Sequence, residues 1–183
     1  EVNYPGVYPV HPFSTLITGL IQAGGIDTTG SLRKIQIKRE GVLKTEVDLY
    51  DYLLKGKMPQ NIQLRDQDVV VIPVRMSTIK VDSAIMRPGI YEAKPGESVE
   101  QIIHYAGGLK YNSSKTIGLK RIEPLEKRDL KSVSTQNYYI KYENSQLTSL
   151  QDGDIITVLE LFENLNYVDI FGQVKKSGRY YFQ

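Results

Sequence analysis

The sequence contains no cysteine and no tryptophan. Without cysteine there is no disulfide, no thiol nucleophile and no Cys-ligated zinc. That absence leaves the compartment open, because oxidising compartments also hold cysteine-free proteins. Histidine is scarce as well: His11 and His104 are the whole supply. Neither has a second ligand at the usual metal spacing, nor the neighbouring acid or nucleophile that a catalytic base works with. No apolar run approaches the roughly 18 residues of a membrane-crossing helix. The opening Glu1-Val2-Asn3 lacks the basic stretch and apolar core of a signal peptide, so none is expected in this sequence. Charge is nearly balanced, with 23 Lys and Arg against 21 Asp and Glu. A net +2 gives no field to steer the protein toward nucleic acid.

What is present is ordinary folded-protein composition, 40% hydrophobic and 24% charged, with 13 tyrosines. So many tyrosines suit extended strands. The organising feature is a repeat. Pro5, Gly6, Tyr8, Pro12, Leu20, Ala23, Gly24 and Gly25 recur 83 positions later as Pro88, Gly89, Tyr91, Pro95, Ile103, Ala106, Gly107 and Gly108, without a gap. A period of that size means a duplicated module rather than a solenoid repeat. A third copy begins near the end: Val168, Ile170, Val174, Gly178 and Tyr180 lie 89 positions after Ile79, Val81, Ile85, Gly89 and Tyr91.

Each copy reads as strand, Pro-Gly turn, strand and a helix closed by Gly-Gly. Proline presets φ for such a turn, and glycine supplies positive φ there and at the helix end. In the first copy the helix runs over Ser14–Ala23, with Ser14 as N-cap and Leu16, Leu20 and Ala23 facing inward beside Ile17 and Ile21. Residues 33–39 alternate, Ile35 and Ile37 to one side, Lys34, Gln36 and Lys38 to the other. Glu40-Gly41 turns that strand into Val42–Val47. Asp48 then caps a short helix carrying Leu49, Leu53 and Leu54. The run Val69–Ile72, apolar on both faces, reads as a central strand. In the second copy Ser98 and Gln101 have capping-box spacing. Thr116–Ile122 repeats the strand at Arg33, and Leu150–Ile156 repeats Leu64–Val70. An extra polar segment spans 123–135, and Tyr138, Ile140 and Tyr142 alternate as a strand.

Several constellations invite a chemical reading. The pairs Asp66/Asp68 and Asp152/Asp154 have acid–base spacing. Both precede the same strand in each copy, which favours turn aspartates bonding their own backbone. The Gly-Gly pairs follow a helix rather than precede one, so the helix dipole there repels phosphate. Two candidate contact sets remain. One is a basic strand surface, Arg33, Lys34, Lys38, Arg39 and Lys44 in the first copy, Lys115, Lys120 and Arg121 in the second. It suits an acidic polymer, or simply solubility. The other is tyrosine, notably Tyr111, Tyr138, Tyr139 and Tyr142, which suits sugar stacking or cross-strand packing.

The order Pro-Gly-x-Tyr, capped helix, Ala-Gly-Gly, hairpin and Leu-x-Asp-x-Asp before an apolar strand resembles the soluble-ligand-binding β-grasp module. Its doubling resembles the periplasmic part of outer-membrane polysaccharide export proteins. The resemblance implies an α+β fold of tandem β-grasp (ubiquitin-like) modules, each a mixed sheet covered by a helix. The copies then divide as 1–75, whose opening strand is expected to be truncated, 76–163 with the insert 123–135, and 164–183 as the opening hairpin of a third module. It further implies a non-enzymatic, periplasmic channel component, with no catalytic, metal or cofactor residues and no membrane span in this segment. Its partners would be other copies in a ring, the polysaccharide, and an inner-membrane export and polymerisation complex. Lys34, Lys38, Lys120, Tyr111 and Tyr139 are the residues selected as polysaccharide or interface contacts. The alternatives are a module gripping a saccharide or cobalamin-like ligand, since related modules serve several functions, and a polysaccharide hydrolase, which needs two carboxylates flanking a cleft. The unequal ends also suggest one chain's terminal hairpin completing the next chain's first module.

Overall fold

A computed structural model describes residues 1–60, 62–123, 135–161, 167–170, 172, 175–176 and 178–181. The elements are α1 (Leu16–Gln22), β1 (Ile35–Arg39), β2 (Val42–Val47), α2 (Tyr50–Lys55), β3 (Asp68–Val71), β4 (Ser77–Ser83) and β5 (Gly89–Ala93). They continue with α3 (Val99–Tyr105), β6 (Ser113–Ile122), β7 (Thr135–Lys141), a 3₁₀ helix at Tyr142–Leu147, β8 (Ile155–Glu160), β9 (Tyr167–Ile170) and β10 (Gly178–Tyr181). Within the expected 123–135 insert, residues 124–134 lie outside the described residues, as does Val174.

The fold is α+β. One sheet has the order β2-β1-β3, a second β5-β4-β8-β6-β7, and β9 and β10 form a separate hairpin. In the second sheet β4 runs parallel to β8 while its other pairings are antiparallel, so the sheet is mixed. Each larger sheet has its own core: Leu16, Leu20, Ile35, Ile37 and Ile62 in the first, Ile79, Ile102, Ile103, Ile117 and Ile156 in the second. In both, a helix residue packs on alternate strand residues, as period two against period 3.6 requires. α3 carries the expected capping box at Ser98 and Gln101.

Three expectations are corrected. The N-cap of α1 is Thr15, without a side-chain cap bond, and not Ser14; Ser14 is buried and its carbonyl accepts the Leu64 amide at 2.9 Å. In α2 Leu49 is buried as expected, but Leu53 faces solvent and Tyr50 joins the packing face in its place. The strand beginning at Val69 is central only in its second-half counterpart, β8. Here β3 lies at the edge of its sheet, and Val69 is 58% exposed.

The recurring motif acts as a latch. The hydroxyl of Tyr8 donates to the Tyr4 carbonyl, Tyr91 to Arg87 and Tyr180 to Lys176, each reaching four residues back across the turn. The same turn docks on the helix end: Asn3 and Tyr4 amides donate to the Gly25 and Ala23 carbonyls, as Met86 and Arg87 amides do to Gly108 and Ala106. Gly107 has φ +85°, and a Cβ there would stand 3.2 Å from both Met86 Cβ and Arg87 Nε. Gly107→Ala is therefore expected to cost about 1–3 kcal/mol from backbone strain and crowding. Urea unfolding measures it, and a loss below about 0.5 kcal/mol, the range of neutral surface changes, contradicts the latch.

Candidate functional site

The strand starting at Ile35 alternates, so Arg33 shares the inward phase of Ile35 and Ile37. Instead of reaching a hydrophobic core, its side chain enters the seam between the two halves, where it is 3% exposed. Its guanidinium clamps Glu97, with Nη1 and Nη2 on the two carboxylate oxygens, the latter at 2.7 Å. Nε and Nη2 donate to Asp48 at 3.2 and 3.1 Å, and Nη1 also donates to the Glu92 carbonyl at 3.0 Å. All five N–H groups of the fork thus have an acceptor, the condition under which a buried guanidinium is tolerated. The cation lies 4.4 Å from the Tyr50 ring centre and 5.0 Å from that of Tyr105, and the two rings meet edge to face.

A second carboxylate works from the other side. Glu92, on β5, accepts the Ser31 hydroxyl at 2.6 Å, the Leu32 amide at 2.9 Å and the Met76 amide at 3.0 Å. The Tyr50 hydroxyl in turn accepts the Glu92 amide at 2.7 Å. Lys94 closes the cluster with its ammonium 2.7 Å from Asp48. Burial pulls the Asp48 and Glu97 carboxyls upward. The Lys94 contact, the Tyr50 amide and Arg33 outweigh it at Asp48, and Arg33, the Lys94 amide and the Tyr105 hydroxyl outweigh it at Glu97, so both sit below their ordinary range. Burial pushes the Tyr50 hydroxyl up to about 12. Such an arrangement is a joint: first-half and second-half groups satisfy one another, and separating them would strand buried charge.

The arginines at the ends of β1 and β6 also point inward. Arg39 grips Asp68 through two bonds of 2.7 and 2.8 Å, and Arg121 grips Asp154 through two of 2.9 and 2.7 Å. Each carboxylate also accepts the amide three residues earlier, Arg65 or Gln151, at 2.8 Å. The repeated aspartates are turn clamps. Arg33, Arg39 and Arg121 thus leave the expected basic surface, a correction that follows from strand parity.

The lysines behave differently. Lys34 and Lys120 are exposed and Lys38 half-buried, and among the described residues none of the three pairs with a carboxylate. Lys38 lies on β1 opposite Leu43 and Val69, on the face away from the core. Lys120 lies opposite Asn137 and Ile155, and Tyr139, 74% exposed, lies opposite Gly118 on the same face. Tyr111 is fully exposed in the turn before β6. Lys120 and Tyr139 are thus brought together on the second sheet, whereas Lys38 belongs to the first, Lys34 lies just before β1 and Tyr111 stands apart. Tyr142 packs against the second core rather than extending β7. His11 and His104 are exposed, and no group of three metal-ligating side chains occurs among the described residues.

Comparison with known proteins gives the family context. The SLBB domain family matches residues 1–47 and 84–127, one stretch in each half. Two Escherichia coli proteins, each named Polysialic acid transport protein KpsD, are 29% identical to this chain over 158 residues. The alignment covers 86% of this chain and 26% of each relative. The chain therefore spans about a quarter of the length of the curated relatives it matches.

Proposed function

Because the chain is built of SLBB modules and is related to a polysaccharide transport protein, we propose that it is a non-enzymatic scaffold segment of a polysaccharide export channel. The modules divide at 75/76, and residues 164–183 open a third. The single observation carrying this reading is the Arg33 joint, a buried ion cluster that ties the first half of the chain to the second. A channel wall needs defined module geometry and weak, distributed contacts with a moving polymer. The segment works in the periplasm as part of an outer-membrane-associated protein. Its partners are further copies in a ring, the polysaccharide and an inner-membrane export and polymerisation complex.

The polymer meets Lys34, Lys38, Lys120, Tyr111 and Tyr139. Cations left unpaired on open sheet faces suit an acidic glycan, and a nearby tyrosine ring adds a stacking surface. The relatives are named for the transport of polysialic acid, an acidic glycan, which supports that choice. The test is export by the full-length protein carrying Lys34→Glu, Lys38→Glu and Lys120→Glu. Surface polymer is expected to fall at least about tenfold, one 1.4 kcal/mol step in effective affinity, with protein level and unfolding midpoint unchanged. Normal export removes these lysines from the account. Micromolar binding of a discrete glycan fragment in calorimetry would instead favour the ligand-gripping alternative.

A further inference from the structure

The second sheet carries its helix and its core on one face. On the opposite face, strand alternation lines up two rows of side chains across β4, β8, β6 and β7. One row is Asp82, Thr157, Gly118 and Tyr139, and the next is Lys80, Ile155, Lys120 and Asn137. Gly118 lies in the interior of a ten-residue strand. Glycine weakens a strand there, so its place needs a reason. Neither the backbone nor the packing supplies one. Gly118 is not among the residues of positive φ. A Cβ added to it would stand 3.5 Å from the Thr157 carbonyl oxygen and 3.9 Å from Tyr139 Cε1, which are ordinary contacts. Gly107 differs, because its φ and its neighbours both exclude a side chain. A strand glycine that the fold does not require marks close approach by another molecule.

The surroundings indicate which molecule. Tyr139 stands beside the bare backbone and is 74% exposed, so its ring is open to solvent. Lys120 follows two residues along β6 on the same face, about 7 Å away by strand rise. It is exposed and pairs with no carboxylate among the described residues. The carboxylate in these two rows, Asp82, is held by Lys80 at 3.3 Å. Thr157 and Asn137 add a hydroxyl and an amide. A flat floor, an aromatic wall, a free cation and neutral polar groups suit an acidic sugar. The C–H face of such a ring covers an aromatic side chain, while its carboxylate takes a charge-assisted hydrogen bond.

The first sheet provides an internal comparison. Aligning the Arg39 and Arg121 clamps puts Gln36 at the place of Gly118 and Glu46 at that of Tyr139. There the floor is filled and an anion replaces the ring. The feature therefore belongs to the second half and not to the repeat.

We propose that the Gly118 floor is a saccharide site for one acidic pyranose ring, which stacks on Tyr139 while its carboxylate accepts from Lys120. The site rests on the reading of the chain as a polysaccharide transport segment. It narrows the polymer contacts of that reading to one place and one pose.

The test titrates the ¹⁵N-labelled 183-residue chain with a sialic acid trisaccharide and follows the amide shifts. Saturating shifts are expected at Gly118, Lys120, Tyr139 and Thr157, with a Kd of about 1 mM. Gly118→Val should weaken binding at least about tenfold with an equal or higher unfolding midpoint, since a β-branched residue suits a strand. Lys120→Gln should weaken it to a similar extent. So should methyl esterification of the trisaccharide, tested on the parent. Undiminished binding in any of these three cases overturns the site. Absence of shifts in the parent, or shifts confined to the first sheet, overturns it as well. A lowered midpoint in Gly118→Val would mean that the fold needs the glycine, and overturns the argument for a ligand. The transport reading fails separately, if the trisaccharide binds as described but full-length protein carrying Gly118→Val exports polymer normally.

Discussion

Replacing Arg33 with alanine is expected to cost about 3–5 kcal/mol and to let the two halves of the chain turn independently. The magnitude is that of breaking a buried ion pair by removing one partner. Glu97 would lose both bonds of its clamp while remaining in the seam with only the Lys94 amide and the Tyr105 hydroxyl. Asp48 would keep Lys94 and the Tyr50 amide and suffer less. Arg33→Met combined with Glu97→Gln should recover part of the loss, since it removes both charges together. Urea unfolding followed separately by Tyr-sensitive spectroscopy and by amide signals of each sheet measures both effects. An alanine variant within about 1 kcal/mol of the parent, still unfolding as one unit, would contradict the role given to the joint.

The joint also sets an acid limit. Asp48 and Glu97 have folded-state pKa values depressed below the ordinary 3.8 and 4.5. A depressed carboxylate binds protons more readily when unfolded, so its stabilising contribution is complete above the unfolded value. It is lost as pH falls from there through the folded value. Stability of the parent should therefore be flat from pH 7 to about 5 and decline below. Arg33→Ala should decline less steeply.

Asp154→Ala is expected to destabilise the second half by about 3–5 kcal/mol. Asp154 is completely buried, holds Arg121 through both oxygens and takes the Gln151 amide as well. Its removal leaves the guanidinium with only the Ser149 carbonyl and orphans the Gln151 amide in the turn before β8. Asp68→Ala tests the counterpart. Its carboxylate is equally enclosed, but Arg39 is a little more open to water than Arg121, so solvent should compensate part of the loss. If either aspartate instead served polymer chemistry, its variant would lose export with an unchanged unfolding midpoint.

Much of this was legible in the residues, and where it was not the cause is identifiable. The 83-residue offset carries the latch, because Tyr8 and Tyr91, and Gly24 and Gly107, repeat for geometric reasons. The same offset points from Ser98 to Thr15 as N-cap, yet local preference for serine suggests Ser14. Strand parity separates Arg33, Arg39 and Arg121 from Lys34, Lys38 and Lys120. Composition alone groups them as one basic surface. An arginine in the inward phase of a strand is a signal for a buried carboxylate partner. What parity does not supply is the partner's identity. Glu92 and Glu97 lie about 60 residues from Arg33 and meet it only through the packing of the two halves. The edge position of β3 was hidden for a similar reason, since an apolar run does not say which strands flank it.

The most direct test of the account is ¹⁵N relaxation of the parent chain, analysed for overall rotation of β1–β3 and of β4–β8 separately. One shared diffusion tensor for both sheets is the predicted result, splitting into two in Arg33→Ala. Two independent tensors in the parent would mean that the seam does not hold the modules together.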